Sequence, residues 1–229
     1  MNSCPCCGSA SAISSRAESG ADSDADSPAG SGATSARTTR RSSASAGTPQ
    51  SDDASRCKVL TVGHSTRPLE DFLALLVAHH VTQWVDVRTL PRSRHNPQFN
   101  ADTLPVHLAA LAIGHAHAPG LGGFRHTTPE SPNTGWRNLS FRGYADYMQG
   151  AEFAENLRRL IVLTQQDRVA LMCAEAVPWR CHRSIIADAL VVRGIATCEI
   201  VSVNRLQAHR LTPFARVSGD EITYPPAES

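Results

Sequence analysis

The chain has 229 residues and a formal net charge of +1. That length allows one domain or two small ones, and the near-neutral balance gives no global pull towards nucleic acid or acidic membranes. No run approaches the roughly 20 apolar residues of a membrane span, and no apolar stretch of signal-peptide type follows Met1. A cytoplasmic protein with no membrane partner is therefore expected. The seven cysteines are an odd number without a secretory leader, which suits reduced thiols better than a disulfide framework.

Residues 1–55 are rich in Ser, Ala, Gly, Thr and Asp, with four Arg and six acidic residues. Such a segment buries too little apolar surface to offset its chain entropy, and it reads as a disordered tail. Cys4, Cys6 and Cys7 lie close together, but no second Cys/His pair follows at zinc-finger spacing. Residues 56–229 read as a single α/β domain. Val59–Val62 closed by Gly63 suits a buried strand. Pro68 fits a first helical turn, and Leu69, Phe72, Leu73, Leu76 and Val77 follow at helical spacing. Gln83–Val87 gives a second strand. Residues 102–112 give a weaker helix with Leu104, Leu108 and Leu111 inward, and His115–His117 a short third strand.

Residues 124–142 carry Gly, Pro, Asn, Ser and Thr and read as a long loop. One helix is expected over Tyr144–Gln165, with Tyr147, Met148, Ala151, Ala154, Leu157 and Ile161 inward. Val169–Cys173 is the clearest strand. A helix over Pro178–Arg193 ends at Gly194 as a left-handed C′ residue, and Glu199–Val203 is the last strand. This alternation predicts an α/β fold with a mostly parallel sheet of about four to five strands flanked by helices.

Three strand ends carry polar side chains. They are Gly63-His64-Ser65, then Asp86-Val87-Arg88 with Ser93 and Arg94, then Cys173-Ala174-Glu175 with Cys181-His182-Arg183-Ser184. Parallel strands bring these ends to one edge of the sheet, where ligands bind in open α/β folds. His64 and His182 are acid/base candidates, because an imidazole titrates near neutrality with little tuning. Cys173 is a candidate nucleophile, or a small core residue. Glu175 is a further catalytic candidate, orienting its neighbours or serving as base; just past a buried strand it needs a partner, and Arg183 and Arg88 are the candidates. Ser65 reads equally as an anion contact or a helix cap, and Asp86 as an orienting group or half of a buried ion pair. Arg88, Arg94 and Arg183, with Ser93, are the expected substrate-binding residues, since guanidinium groups grip phosphate and carboxylate bidentately. Cys181 and His182, adjacent on a helix, would project about 100° apart, which favours His182 over Cys181.

Spacing removes two known chemistries. A phosphatase loop needs Arg six positions after its Cys, but the first Arg after Cys173 is Arg180; a thioredoxin site needs Cys-x-x-Cys. A zinc site from Cys173, Cys181 and His182 lacks a fourth ligand unless Glu175 or His64 supplies one, so no metal and no cofactor is assigned.

These residues resemble one family, the domain of unknown function 488, over roughly residues 58–205. The resemblance rests on Thr61-Val62-Gly63-His64-Ser65, on Val85-Asp86-Val87-Arg88 with Pro91, Ser93 and Arg94, on Leu121-Gly122-Gly123, and most on Cys173-Ala174-Glu175 with Pro178 and Cys181-His182-Arg183. Val177 departs from it, standing where members often carry an acidic residue. The resemblance implies a compact α/β domain and no reaction. The convergent site itself points to an enzyme acting on a small phosphate- or nucleotide-bearing substrate. A nucleotide or nucleic-acid binding module is the alternative, motivated by Arg88–Arg94 and by Arg125, Arg137 and Arg142. A Cys/His metal or thiol-redox site is the third reading.

Overall fold

The computed structural model describes residues 56–226. The tail expected over 1–55, with Cys4, Cys6 and Cys7, lies outside the described residues. Eight strands and five α-helices follow in the order β1 (Val59–Gly63), α1 (Leu69–Ala78), β2 (Gln83–Asp86), α2 (Leu104–Ala110), β3 (Gly114–His117), α3 (Leu139–Tyr147), α4 (Ala151–Leu163), β4 (Val169–Cys173), α5 (Arg183–Val192), β5 (Thr197–Ser202), β6 (Arg205–Ala208), β7 (Arg216–Ser218) and β8 (Glu221–Thr223).

The fold is α/β, with a six-stranded sheet in the order β3-β2-β4-β1-β5-β6. The first five strands are parallel and β6 pairs antiparallel to β5. β1 and β4 are fully buried and apolar apart from Thr61, as strands covered on both faces must be. Alternate side chains serve two cores. Leu60, Val62, Ala170 and Met172 pack with α1 and α2. Val59, Val169, Leu171 and Cys173 pack with α3, α4 and α5. The segments after β1 and β2 thus pass to one face, and the segment after β4 passes to the other. β4 lies between β1 and β2, so a crevice opens beyond its C-terminal end.

Several expectations are corrected. The sheet has six strands, because β6 was not anticipated; Arg205–Ala208 has only Leu206 as a large apolar residue and sits at the edge, half in solvent. The β7–β8 hairpin was also missed, its turn made by Gly219 at φ +60°. The long helix over 144–165 is two helices. α3 begins five residues earlier, where the Asn138 side chain accepts the N–H groups of Ser140 and Phe141. Gly150 adopts an extended conformation and restarts the chain as α4. This break resets the helical phase. Phe153, Leu157 and Leu160 are buried, while Ala151 and Ala154 face solvent. On α1 the inward face is Phe72, Leu75 and Leu76, with Val77 half exposed. Gly194 does close α5 at φ +75°: Ile195 N–H reaches Leu190 O and Gly194 N–H reaches Val191 O, the two bonds of a Schellman motif. A disulfide joins Cys57, just before β1, to Cys198 on β5, so the expectation of reduced thiols fails for that pair. Among the described residues no helix is long and apolar enough to cross a membrane.

Candidate functional site

The ends of β1 and β4 are zipped together beyond the last ladder residues. His64 N–H donates to Cys173 O and Ser65 N–H to Ala174 O, each at 3.0 Å. Only glycine fits at position 63, where a Cβ would lie 1.9 Å from Glu175 O. Arg183, fully buried, rivets the same junction from beneath. Its Nη1 donates to Val62 O at 2.7 Å and to Glu175 O at 2.9 Å, and its Nη2 approaches Glu199 Oε1 at 3.5 Å. Glu199 also accepts from the Thr61 hydroxyl. Burial pushes the Glu199 carboxyl up, against the opposing pull of Arg183.

Above this junction lies a cavity of about 580 Å³. Its walls include His64, Arg88, Arg92, Ser93, Cys173, Glu175, Arg180, Cys181 and His182, with Leu90, Phe124, Phe141 and Tyr144 as the apolar part. Six of the ten residues expected from the strand ends therefore share one cavity wall or floor. Asp86 lies behind Arg88. Its carboxylate takes Arg88 Nε and Nη2, the latter at 2.6 Å, inside the protein. Ser65 is not a helix cap, since α1 has Pro68 at that position with no side-chain bond to it. Arg94 is exposed and borders a separate depression with Leu90, Pro91 and Asp102. Arg183 is under the floor, and it bonds the Glu175 backbone carbonyl.

His64 is neutral by construction. Its Nδ1–H donates to Ser65 O at 2.7 Å, which leaves the Nε2 lone pair facing Arg88 Nη1 at 3.3 Å. The ring stacks on Phe99 with centroids 4.4 Å apart. Burial holds its pKa down to about 4, with the Arg88 charge adding to the effect. His182 is held down to about 4 as well, chiefly by burial, and its Nε2–H donates to Val87 O at 3.3 Å.

The segment before α5 differs from the expected continuous helix. Pro178–Arg180 form one 3-10 turn, Cys181 is extended at φ −134° and ψ 143°, and α5 starts only at Arg183. This break lets Cys181 and His182 turn to the same place, which a regular helix forbids. Cys173 Sγ, Cys181 Sγ and His182 Nδ1 lie within 4.8 Å of one another. The Cys181 thiol hydrogen-bonds Cys173. That bond pulls the Cys173 thiol down, aided by the N–H groups of Glu175 and Ala174 and by the Arg183 charge, and pushes Cys181 up. These three atoms are the group best able to hold a metal ion among the described residues.

Sequence reasoning did not single out Arg92, Arg180 and Phe124. Arg92 and Arg180 are exposed at the cavity mouth, outside every ion pair among the described residues. Phe124 is 85 % exposed and holds φ +62°, a left-handed conformation that is costly for a bulky side chain. The Gly-rich loop before it was the available signal.

No curated protein and no solved structure matches the chain. The family model described as domain of unknown function DUF488 matches residues 68–190. That span contains β2, β4, the cysteine pair and the start of α5, and it leaves His64 and Ser65 just outside. The chain therefore belongs to the DUF488 family, whose function is unknown.

Proposed function

We propose that this protein is an enzyme acting on a small anionic substrate, phosphate- or nucleotide-bearing, bound in the cavity beyond β4. The observation that carries this reading is the charge of the cavity lining. Arg92 and Arg180 stand free at the mouth and Arg88 is held rigid by Asp86, against one carboxylate, Glu175. Unpaired guanidinium groups at a concave site favour oxyanions, which they bind in a two-point geometry. Leu90, Phe124, Phe141 and Tyr144 supply the apolar wall expected of a site for a drug-sized molecule with a flat ring.

Roles for the residues follow from their surroundings. Arg92 and Arg180 grip the anion. Arg88, braced by Asp86, His64 and Phe99 O, directs its remaining donor capacity from a fixed position. His64 serves that brace: a base with a pKa near 4 is poorly matched to proton transfer at pH 7. Glu175 is the partly exposed carboxylate on the wall, and it takes the acid/base role. Cys173 faces the bound group from the floor.

Calorimetric titration with inorganic phosphate, nucleoside monophosphates and diphosphates, and the corresponding neutral nucleosides tests this. Binding of the anions with loss in the Arg92→Ala/Arg180→Ala double variant is expected. Mass spectrometry of the bound ligand after incubation should show turnover that Glu175→Gln abolishes. Equal binding of neutral nucleosides, or anion binding indifferent to the double variant, overturns the reading.

A further inference from the structure

We propose that Cys173 Sγ, Cys181 Sγ and His182 Nδ1 form a three-ligand site for a divalent ion of the zinc class, with its fourth position open to the cavity. The proposal stands on its own geometry, whether or not an anion binds beside it.

The distances fit. Zinc–sulfur bonds of about 2.3 Å and zinc–nitrogen bonds of about 2.05 Å at a tetrahedral angle place sulfur and nitrogen about 3.6 Å apart. Cys181 Sγ and His182 Nδ1 are 3.7 Å apart. All three atoms lie within 4.8 Å, so the longest edge, whichever pair it joins, needs to shorten by no more than about 1.2 Å to reach the ideal separation.

The surroundings match those of a ligand set. A metal-bound histidine holds its second ring N–H on a carbonyl or carboxylate, which fixes tautomer and orientation. His182 Nε2 bonds Val87 O, and its Nδ1 lone pair is left facing the sulfurs. Cys181 Sγ accepts the Arg183 backbone N–H at 3.5 Å. The N–H groups of Glu175 and Ala174 face Cys173. Space is kept for the ion on the cavity side, because position 123 is glycine: a Cβ there would stand 3.2 Å from His182 Nδ1.

Two thiolates and one imidazole select zinc, or cobalt as its spectroscopic substitute, over magnesium and calcium. Two thiolates neutralise the divalent charge, and their protons leave to solvent as the metal–sulfur bonds form. All three residues line the cavity, so the vacant tetrahedral position points where a substrate oxygen or water can enter. Three protein ligands with one open position is the arrangement of catalytic zinc. In the loaded protein Cys173 is a ligand, and it no longer attacks as a free thiolate.

The test uses the full chain with Cys4, Cys6 and Cys7 replaced by Ser and the Cys57–Cys198 disulfide intact, with Cys173 and Cys181 kept as free thiols under anaerobic conditions, freed of metal and titrated with cobalt(II). Expected is one cobalt per chain, with a thiolate-to-cobalt charge-transfer band and tetrahedral visible bands, both bleached by zinc. Cys181→Ser should lose about half the charge-transfer intensity. Zinc should protect Cys173 from iodoacetamide, read by peptide mass spectrometry in the unsubstituted site, so the result does not hang on a variant that folds. A chain that takes up no cobalt, a band undiminished in Cys181→Ser, or alkylation of Cys173 unaffected by zinc overturns the proposal.

Discussion

Arg183→Met separates two roles that the sequence leaves indistinguishable, an anion contact and a structural rivet. In the structure its guanidinium is wholly buried and donates to Val62 O at 2.7 Å and Glu175 O at 2.9 Å, while approaching Glu199 at 3.5 Å. Methionine keeps much of the volume and removes every donor. Each buried carbonyl that loses its partner costs about 1–3 kcal/mol. Removing one member of a buried ion pair costs about 3–5 kcal/mol, because the other charge stays behind. These contributions overlap, since one side chain serves all three acceptors, so a total loss of about 3–5 kcal/mol is expected. With a urea slope near 2 kcal/mol per molar, the unfolding midpoint falls by roughly 1.5–2.5 M. Fluorescence of Trp84, Trp136 and Trp179 reports the transition. Adding Glu199→Gln should recover part of the loss, because the stranded carboxylate is then gone; the cycle coupling should exceed about 1 kcal/mol. Arg183→Lys, which keeps the charge without the fork, should fall between wild type and Arg183→Met. A change below about 1 kcal/mol in Arg183→Met, accompanied by loss of anion affinity, refutes the structural role.

Gly63→Ala forces a methyl group against the Glu175 carbonyl, so a loss of at least about 1–3 kcal/mol and displacement of the Cys173–Glu175 turn are expected; unchanged urea stability refutes the close approach. Phe124→Gly removes a left-handed bulky residue that touches mainly solvent. Stability should stay level or rise by up to about 1 kcal/mol while ligand affinity falls, and a clear loss of stability would show that Phe124 holds the loop. His64 has a folded pKa of about 4 against 6.5 unfolded, so the unfolded chain binds more protons between those values. Its contribution is complete above pH 6.5 and is lost as pH falls towards 4, on the order of 2 kcal/mol of it by pH 5. Urea midpoints at pH 7 and pH 5 should therefore diverge less in His64→Gln than in wild type, though His182 preserves part of the slope. Breaking the Cys57–Cys198 link, which spans 141 residues, should cost about 3–5 kcal/mol, and an unfolding midpoint unmoved by reductant would contradict it.

The strands and most helices were legible because burial on both faces leaves a plain mark. Val59–Val62 and Val169–Cys173 have no polar interruption but Thr61, and that hydroxyl has its own carboxylate partner, Glu199. β6 left no such mark, since a half-solvated edge strand needs few apolar side chains. The site was legible as a sheet edge and not as an arrangement. Two local breaks of regularity explain the difference. Gly63 admits the Glu175 carbonyl, and extended Cys181 delays the start of α5. Neither is a matter of periodicity, and each redirects a side chain. Because the backbone turns at Cys181 and not at Pro178, Cys181 joins Cys173 and His182, and Arg183 is carried beneath the floor. The charged residue that the sequence placed against the ligand is thus the one that fixes the floor, and the thiol it set aside completes the cluster. The proposed binding at the cavity then rests on Arg92 and Arg180, on segments that follow β2 and β4, where side chains remain free to meet a ligand because the core has no use for them.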